Sequence, residues 1–202
     1  MADNQHSINT YVSDMLALER HVHIPFETQC KDDDFNDYPE AKRLVVRLND
    51  LAKKHADDLE SLLSVLGGHE ASPMKSAVSQ FEGIVAGAID KIRKTKVSKA
   101  LRDDYTALSL CTASYTMLHA TALAMGASNV ATRAEKHLGD YTRCVMDLAE
   151  ALPGVVVKEL QATGLQVETG TIAQALETTQ RAWRPEDAGA AATRAGSRTG
   201  TI

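Results

Sequence analysis

The 202-residue chain has few aromatic residues, few prolines and few cysteines. Aromatic side chains make up 4% of the sequence, and there are five prolines and three cysteines. Low aromatic content together with recurring Ala and Leu favours helix over sheet. The cysteines, Cys30, Cys111 and Cys144, lie far apart without a C-x-x-C spacing. This pattern indicates reduced thiols rather than a disulfide framework.

The sequence also lacks a basic face and a long apolar run. Its net charge of −5 is spread along the chain, and no basic surface with interleaved aromatics is present, so nucleic acid is not expected as a partner. No apolar run approaches the roughly 20 residues of a membrane span, and the N-terminus shows no signal-peptide pattern. We therefore expect a cytoplasmic protein with no membrane partner.

Apolar residues recur at helical spacing instead. The clearest stripe runs from Ala41 to Leu66 and stops at a glycine pair, 67–68, which is typical of a helix C-terminus. An earlier stripe begins at Ile8, and Pro25 is expected to kink or loosen its end. Two further long helices are predicted from Val97 to Gly126 and from Val130 onward, the second with a bend near Pro153. A shorter stripe, 74–92, predicts one extra helix between the two long pairs.

These elements predict an all-α fold, an antiparallel four-helix bundle with a short extra helix in the middle connection. The bundle is expected to occupy residues 1–163 as one domain. Residues 164–184 predict a short helix that docks Trp183 on the bundle. The composition of residues 185–202 cannot bury a core and predicts a flexible tail. We also considered that this tail contacts a protein partner.

The order of these elements resembles the YciE/YciF-like branch of the ferritin-like superfamily, stress-associated bacterial proteins with a diiron-type centre. The matching segments are Asp14 to Glu19, His55 together with 59–67, and Ala113 to Leu118 followed by Met125-Gly126. The resemblance covers residues 8 to 160. It lies in the order of the helices and the positions of their ends more than in identical residues. It implies a ferritin-like bundle.

The ligand set that the resemblance implies is incomplete. A ferritin-like diiron centre takes a Glu from each of two helices and an E-x-x-H pair from each of the other two. Glu19 matches the carboxylate of the first helix, and His55 matches the histidine of the second. Ala52 stands where the paired carboxylate belongs, and Leu108 and Cys111 fall at the acidic positions of the following long helix. The resemblance therefore implies a degenerate site.

In the last long helix, the acidic pair of the family falls at Asp140 and Tyr141, so one carboxylate is kept. Glu19, His55 and Asp140 are the candidate metal ligands. They are too few to hold two irons, and no cofactor is expected. We expect a polar network to replace the metal, with His23 or His55 satisfying the buried Glu19.

The cysteines allow an alternative metal site, and the other histidines allow more than one role. Cys111 and Cys144 fall at similar depth on consecutive helices, and with His55 their thiolates would suit zinc rather than iron. His119 is expected to reach Glu135 or to be a satisfied core or boundary residue. Among the remaining histidines, residue 137 is expected at the solvent or at a subunit interface.

Two functional hypotheses follow. The first is a non-enzymatic ferritin-like structural or interaction protein, stress-associated by resemblance and homodimeric through a helix face. The second is a metal-binding ferritin-like oxidoreductase or iron-handling protein with a reduced site around Glu19 and His55. No nucleophile motif or phosphate-binding glycine loop supports hydrolase or nucleotide chemistry. We favour the first hypothesis.

Overall fold

A computed structural model describes residues 2–67, 96–168 and 170–183 of the chain. Every regular element in these ranges is helical, which confirms the all-α fold class. A short 3-10 helix, Asp33–Asp37, lies between the first two α-helices. The α-helices are α1 Ala2–Cys30, α2 Pro39–Val65, α3 Val97–Ala124, α4 Ser128–Ala162 and α5 Thr171–Trp183.

The chain divides into two compact units, residues 1–148 and 149–202, with the boundary inside α4. The first unit contains α1, α2, α3 and most of α4, and the second contains α5. None of the helices in the described ranges has both the length and the apolarity needed to cross a bilayer.

Contacts near the helix ends show that α1 and α2 are antiparallel. Lys42 near the start of α2 donates to the carbonyl oxygen of Cys30 at the end of α1, over 2.8 Å. At the other end, Gln5 donates to the carbonyl oxygen of Leu66 over 3.4 Å. The short connection through Phe35, which is buried, allows this hairpin.

Contacts near the helix ends also give the directions of α3 and α4. Gln29 near the end of α1 meets Asp104 near the start of α3, so these two helices are antiparallel. His119 near the end of α3 contacts the carbonyl oxygen of Ala131 near the start of α4 at 2.9 Å, so these are antiparallel as well. Therefore α2 and α3 run in one direction and α1 and α4 in the other. One long connection, between α2 and α3, returns the chain to the opposite end of the bundle.

The core of the first unit is made of apolar stripes with helical periodicity. On α2, Pro39 lies at the first helical position, where its missing N–H costs nothing, and Gly67 ends the segment with a φ of 70°. Both boundaries agree with the pattern in the sequence. The buried stripe of α2 consists of Ala41, Val45, Leu48, Ala52, His55, Ala56, Leu59, Leu62 and Leu63.

Both helices that contain an internal proline continue beyond it, and the kink or bend expected at each stays a prediction. The first helix continues through Pro25 to Cys30, because Phe26 and Gln29 beyond the proline are both buried and hold the last turn in place. Likewise, α4 continues through Pro153 to Ala162. Packing therefore outweighs the hydrogen bond that each proline removes.

Three other predictions concern the regions around the bundle. The extra helix at 74–92 and the flexible tail at 185–202 lie outside the described residues. The short helix predicted within 164–184 is present as α5. Its docking through Trp183 stays a prediction, as does the single domain at 1–163.

Candidate functional site

Glu19 is the centre of a buried polar cluster in the first unit. It lies on α1 with no exposed surface. Tyr115 of α3 donates its hydroxyl hydrogen to one carboxyl oxygen, Oε1, over 2.5 Å, and Tyr141 of α4 donates to the other, Oε2. A buried carboxyl group without such partners would be costly. Each oxygen of Glu19 is therefore satisfied by a hydroxyl from a different helix.

Helical periodicity places both tyrosines inward. On α3, Tyr115 follows Leu108 and Cys111 at intervals of seven and four residues, and all three are buried. On α4, Tyr141 lies four residues after His137, which is also buried. Residues three, four and seven positions apart share one face of a helix. The same apolar stripes that form the core thus supply the polar groups at its centre.

Two histidines complete the polar cluster, which we define as Glu19, His55, Tyr115, His137 and Tyr141. The rings of His55 on α2 and His137 on α4 are stacked, with centroids 3.9 Å apart and an interplanar angle of 15°. His137 Nδ1 lies 3.0 Å from the Tyr115 hydroxyl. His55 Nδ1 lies 3.3 Å from Glu19 Oε1 but is not aligned for a hydrogen bond. Four helices thus meet at one carboxyl group.

Each histidine also contacts a carboxylate nearer the surface. His137 Nε2 lies 3.1 Å from Asp58 Oδ2, and His55 Nε2 lies 3.4 Å from Asp140 Oδ2. Asp58 forms an ion pair with Arg133. Asp140 is paired with two cations of its own helix, Lys136 at 3.0 Å and Arg143 at 2.5 Å. The outer edge of the polar cluster is therefore neutralised by basic side chains.

Electrostatics favours protonated tyrosines and a neutral histidine. Burial, followed by the negative charge of Glu19, raises the pKa of Tyr115 and Tyr141 well above the ordinary value of 10. Burial, with a smaller contribution from the adjacent His55, lowers the pKa of His137 to about 3. Near neutral pH both hydroxyls therefore keep their hydrogens, and the His137 ring carries a single N–H.

Asp140 behaves differently from the buried groups. Burial alone would raise its pKa, but hydrogen bonds from Lys136 and His55, and the charge of Lys136, outweigh that effect and lower it. Asp140 is thus an ionised carboxylate whose negative charge is already compensated by Lys136 and Arg143.

The residues present do not fit a diiron centre. Two adjacent iron ions require several bridging carboxylates to offset their charge. Glu19 is the one carboxyl group within the polar cluster, and both of its oxygens accept from tyrosines. Ala52, Leu108 and Cys111 are buried but offer no oxygen ligand. Across the described ranges, no group of three or more His, Cys, Asp or Glu side chains is placed to hold a metal ion.

The structure separates the three principal candidates from the secondary ones. Glu19, His55 and Asp140 are brought together in one line of contacts. His23 is half-buried, and its charge acts on Glu27. The role expected of His23 beside Glu19 is filled by the two tyrosines.

Cys111 and Cys144 have different charged neighbours. Burial, and then the charge of Glu19, raises the pKa of the Cys111 thiol well above 9. Cys144 is 3.2 Å from the Arg47 guanidinium, which also pairs with Asp147. Burial nevertheless raises the pKa of the Cys144 thiol. Both cysteines are therefore protonated thiols near neutral pH, whereas a metal ligand is a thiolate.

Of the two histidine predictions, the one for His137 is wrong and one of the two alternatives for His119 is confirmed. His137 is 1% exposed, although it was expected at the solvent or at an interface. Its spacing from Tyr141 and Cys144 on the same face of α4 is the signal that could have identified it. His119 is part-buried and contacts the carbonyl oxygen of Ala131, so it is a satisfied boundary histidine, the alternative to a contact with Glu135.

Comparisons with known proteins support the fold. No family model matches the chain, and no curated protein matches it. Among solved structures, the chain is similar to a crystal structure of a protein from Xanthomonas campestris pv. campestris, with a TM-score of 0.65 and 19% sequence identity. The match covers 81% of this chain and 99% of that chain. At this identity the likeness shows an all-α helical bundle and nothing further.

Proposed function

We propose that this protein is a non-enzymatic helical-bundle protein with a structural or interaction role, in which the polar cluster replaces a dimetal centre. The observation that carries the proposal is the environment of Glu19, whose two oxygens accept hydrogen bonds from Tyr115 and Tyr141. A carboxyl group satisfied in this way by its own protein has no need of a metal ion.

Electrostatics around the polar cluster also opposes a cation. Metal ligands must be deprotonated, whereas the pKa of each tyrosine in the cluster is raised by burial and by Glu19. Lys136 and Arg143 place positive charge against Asp140, the remaining candidate ligand. A bound cation would therefore displace hydrogen bonds and approach two like charges.

The ferritin-like assignment belongs to this proposal. Its support is the connectivity, in which two helical hairpins are joined by one long connection between α2 and α3. The stress-associated role, the YciE/YciF-like branch, the homodimer and the cytoplasmic location are proposed from the resemblance in sequence. Sedimentation of the full chain and of a chain ending at residue 184 tests the homodimer and any contribution of the tail.

Metal analysis tests the proposal directly. The protein is purified without chelator and then loaded with Fe²⁺ under anaerobic conditions, alongside Glu19→Gln and an exposed control, Glu60→Gln. We expect substoichiometric metal in all three proteins and no oxidase or peroxidase activity. Stoichiometric iron with oxidase activity that Glu19→Gln abolishes and Glu60→Gln keeps would overturn the proposal. That result would favour the alternative, a metal-binding oxidoreductase or iron-handling protein around Glu19 and His55.

A further inference from the structure

The end of α1 and the start of α3 are joined by a buried hydrogen bond between two side chains. Gln29 Nε2 donates to Asp104 Oδ1 over 2.8 Å, and these residues are 1% and 2% exposed. Each lies on the buried stripe of its helix, Gln29 three residues after Phe26 and Asp104 three residues after Leu101. An amide and a carboxyl group thus meet inside the core.

Two acceptor atoms beside this bond are unsatisfied. Among the described residues, neither Asp104 Oδ2 nor the Gln29 amide oxygen, Oε1, has a hydrogen-bond partner. Each shares a carbon with an atom of the bond, since Oδ2 lies beside Oδ1 and Oε1 beside Nε2. A buried polar atom without a partner is costly. The contact as it stands therefore has two acceptors for which a donor is needed.

Counting hydrogens shows what completes the contact. An ionised Asp104 has no hydrogen to donate, and the amide oxygen of Gln29 only accepts. With one proton on Oδ2, the carboxyl group donates to the amide oxygen while Nε2 continues to donate to Oδ1. A proton on Oδ1 would instead oppose the Nε2 donor. Exchanging the amide nitrogen and oxygen gives the same two bonds with the carboxyl oxygens exchanged.

We propose that a protonated Asp104 and Gln29 form a two-bond acid–amide pair that fastens α1 to α3, and that loss of this proton opens the contact to water. The pair keeps the observed bond and satisfies both remaining acceptors. Ionisation removes the second bond and leaves a buried charge without a compensating donor, which is costly until water reaches it. Protonation therefore closes this end of the bundle, and deprotonation loosens it.

The surrounding groups leave the proton as the partner. Asp103 acts on Asp104 through its negative charge and pairs with Arg102. Burial raises the pKa of the Cys30 thiol, next to Gln29, so this group is neutral. Charged side chains close in sequence or depth on the other helices have partners of their own, namely Glu27 with Lys31 on α1, Lys42 of α2 with the carbonyl oxygens of Cys30 and Asp32, and Asp147 of α4 with Arg47.

Burial places the response near neutral pH. It raises the pKa of Asp104 to about 7, although the Gln29 hydrogen bond lowers it, and the charge of Asp103 adds a smaller increase. In the opened contact the pKa returns toward the ordinary value of 3.8. The closed contact therefore binds the proton more tightly, and opening becomes about tenfold more favourable with each pH unit between roughly 5 and 7.

The pair is separate from the polar cluster. Gln29 lies ten residues after Glu19 on α1, and Asp104 lies eleven residues before Tyr115 on α3, which is about 15 Å along each helix. The inference therefore goes beyond the proposed function, and the metal analysis does not bear on it. Because buried Phe26 is within one turn of the pair, opening also exposes apolar surface at this end.

Carbon NMR of the full chain with labelled Asp and Gln side chains tests the pair. We expect the Asp104 carboxyl carbon and the Gln29 carboxamide carbon to titrate with one midpoint near pH 7, because the amide oxygen accepts a hydrogen bond only in the protonated pair. Asp104→Asn can form the same two bonds without titrating, so its Gln29 signal is expected to be independent of pH. Asp57→Asn, at an exposed position, is expected to keep the titration. A stationary Gln29 signal in the wild-type protein, or an Asp104 already ionised at pH 5, would overturn the inference.

Backbone hydrogen exchange tests the opening. After correction for the intrinsic exchange rate, protection of the amides at 26–30 and 101–105 is expected to fall about tenfold per pH unit between pH 5 and 7 in the wild-type protein. In Asp104→Asn it is expected to stay constant. The same pH dependence in both proteins would refute a proton-controlled contact.

A second variant, Gln29→Met, distinguishes the pair from a single bond to an ionised Asp104. Loss of two neutral hydrogen bonds is expected to raise the unfolding equilibrium constant on the order of 30-fold at pH 5, and less than about threefold at pH 8, where the contact is open. A single bond to a carboxylate is stronger when the carboxylate is charged, so it predicts the larger effect at pH 8. Urea unfolding measures both values, with the exposed Gln174→Met as the matched control. A larger effect at pH 8 than at pH 5 would contradict the pair.

Discussion

Two tyrosine hydroxyls determine how the buried Glu19 is satisfied. Removing either hydroxyl leaves a buried carboxyl oxygen without its donor, because Tyr115 and Tyr141 each serve a different oxygen. We expect Tyr115→Phe and Tyr141→Phe to lower the free energy of unfolding by about 1 to 3 kcal/mol each. Tyr11→Phe, at a partly exposed position, is expected to change it by less than about 0.5 kcal/mol. Urea unfolding measures all three, and equal effects would contradict the assigned hydrogen bonds.

Asp104 is a second buried carboxyl group, away from the polar cluster. It is 2% exposed and accepts a hydrogen bond from Gln29 Nε2 at 2.8 Å. Among the described residues, its Oδ2 atom and the Gln29 amide oxygen have no hydrogen-bond partner. Burial raises the pKa of Asp104 to about 7, although the Gln29 hydrogen bond acts in the opposite direction. The folded protein therefore binds this proton more tightly than the unfolded chain does.

This raised pKa gives the stability a defined dependence on pH. An acid whose pKa is higher in the folded state contributes stability at low pH that is lost as pH rises from the unfolded value of 3.8 to about 7. The loss is on the order of 4 kcal/mol. We expect Asp104→Asn to flatten this slope in urea unfolding between pH 4.5 and 8, while Asp57→Asn, at an exposed position, keeps it. Equal slopes would show that Asp104 is ionised when folded.

At the same scale, the sequence located part of the site and missed the rest. Glu19 and His55 are the positions at which the resemblance implies metal ligands. Tyr115 and Tyr141 were missed as donors because a tyrosine on an apolar stripe is usually a core residue with one polar atom. The direction of its hydroxyl depends on the partner helix, which helical periodicity does not specify.

At the scale of elements, local signals placed the helices well and their ends less well. The glycine after α2 marked its end, because a φ of 70° at Gly67 suits only a residue without a side chain. Pro25 does not end α1. A single lost hydrogen bond was outweighed by the burial of Phe26 and Gln29, which depends on the neighbouring helices.

The turn between α3 and α4 allows a test of whether a positive φ requires glycine at the end of a helix. Gly126 has a φ of 72°, and the N–H of Ala127 bonds the carbonyl of Ala122 over 2.8 Å, as in a Schellman cap. A Cβ at Gly126 or at Gly154 within α4 would meet no atom within 4 Å. Gly126→Ala is therefore expected to cost about 1 to 2 kcal/mol through the backbone alone, whereas Gly154→Ala gains roughly 0.5 to 1 kcal/mol. Thermal unfolding compares them, and the same sign for both would contradict the assigned conformations.

At the scale of the whole molecule, the sequence predicted the fold class and an antiparallel bundle, but not the contacts that set the direction of each helix. Helical periodicity gives the number of long helices, and the directions come from contacts distant in sequence, such as Gln29 with Asp104. The fold then brings Glu19, His55 and Asp140 together, as a bundle must when their positions lie at one depth. Which chemistry they support is decided by the tyrosines and basic residues around them.

The central claim is that hydrogen bonds from the protein's own side chains, and not a metal ion, satisfy the buried Glu19. Thermal unfolding of wild-type protein and Glu19→Gln, with and without Fe²⁺ or Zn²⁺ under anaerobic conditions, tests it most directly. A metal bound only by the folded state and present at 100 times its Kd would stabilise the protein by about 2.7 kcal/mol and raise Tm by roughly 5 to 10 °C. We predict no metal-dependent change in either protein. A rise in Tm with metal concentration that Glu19→Gln abolishes would contradict the account.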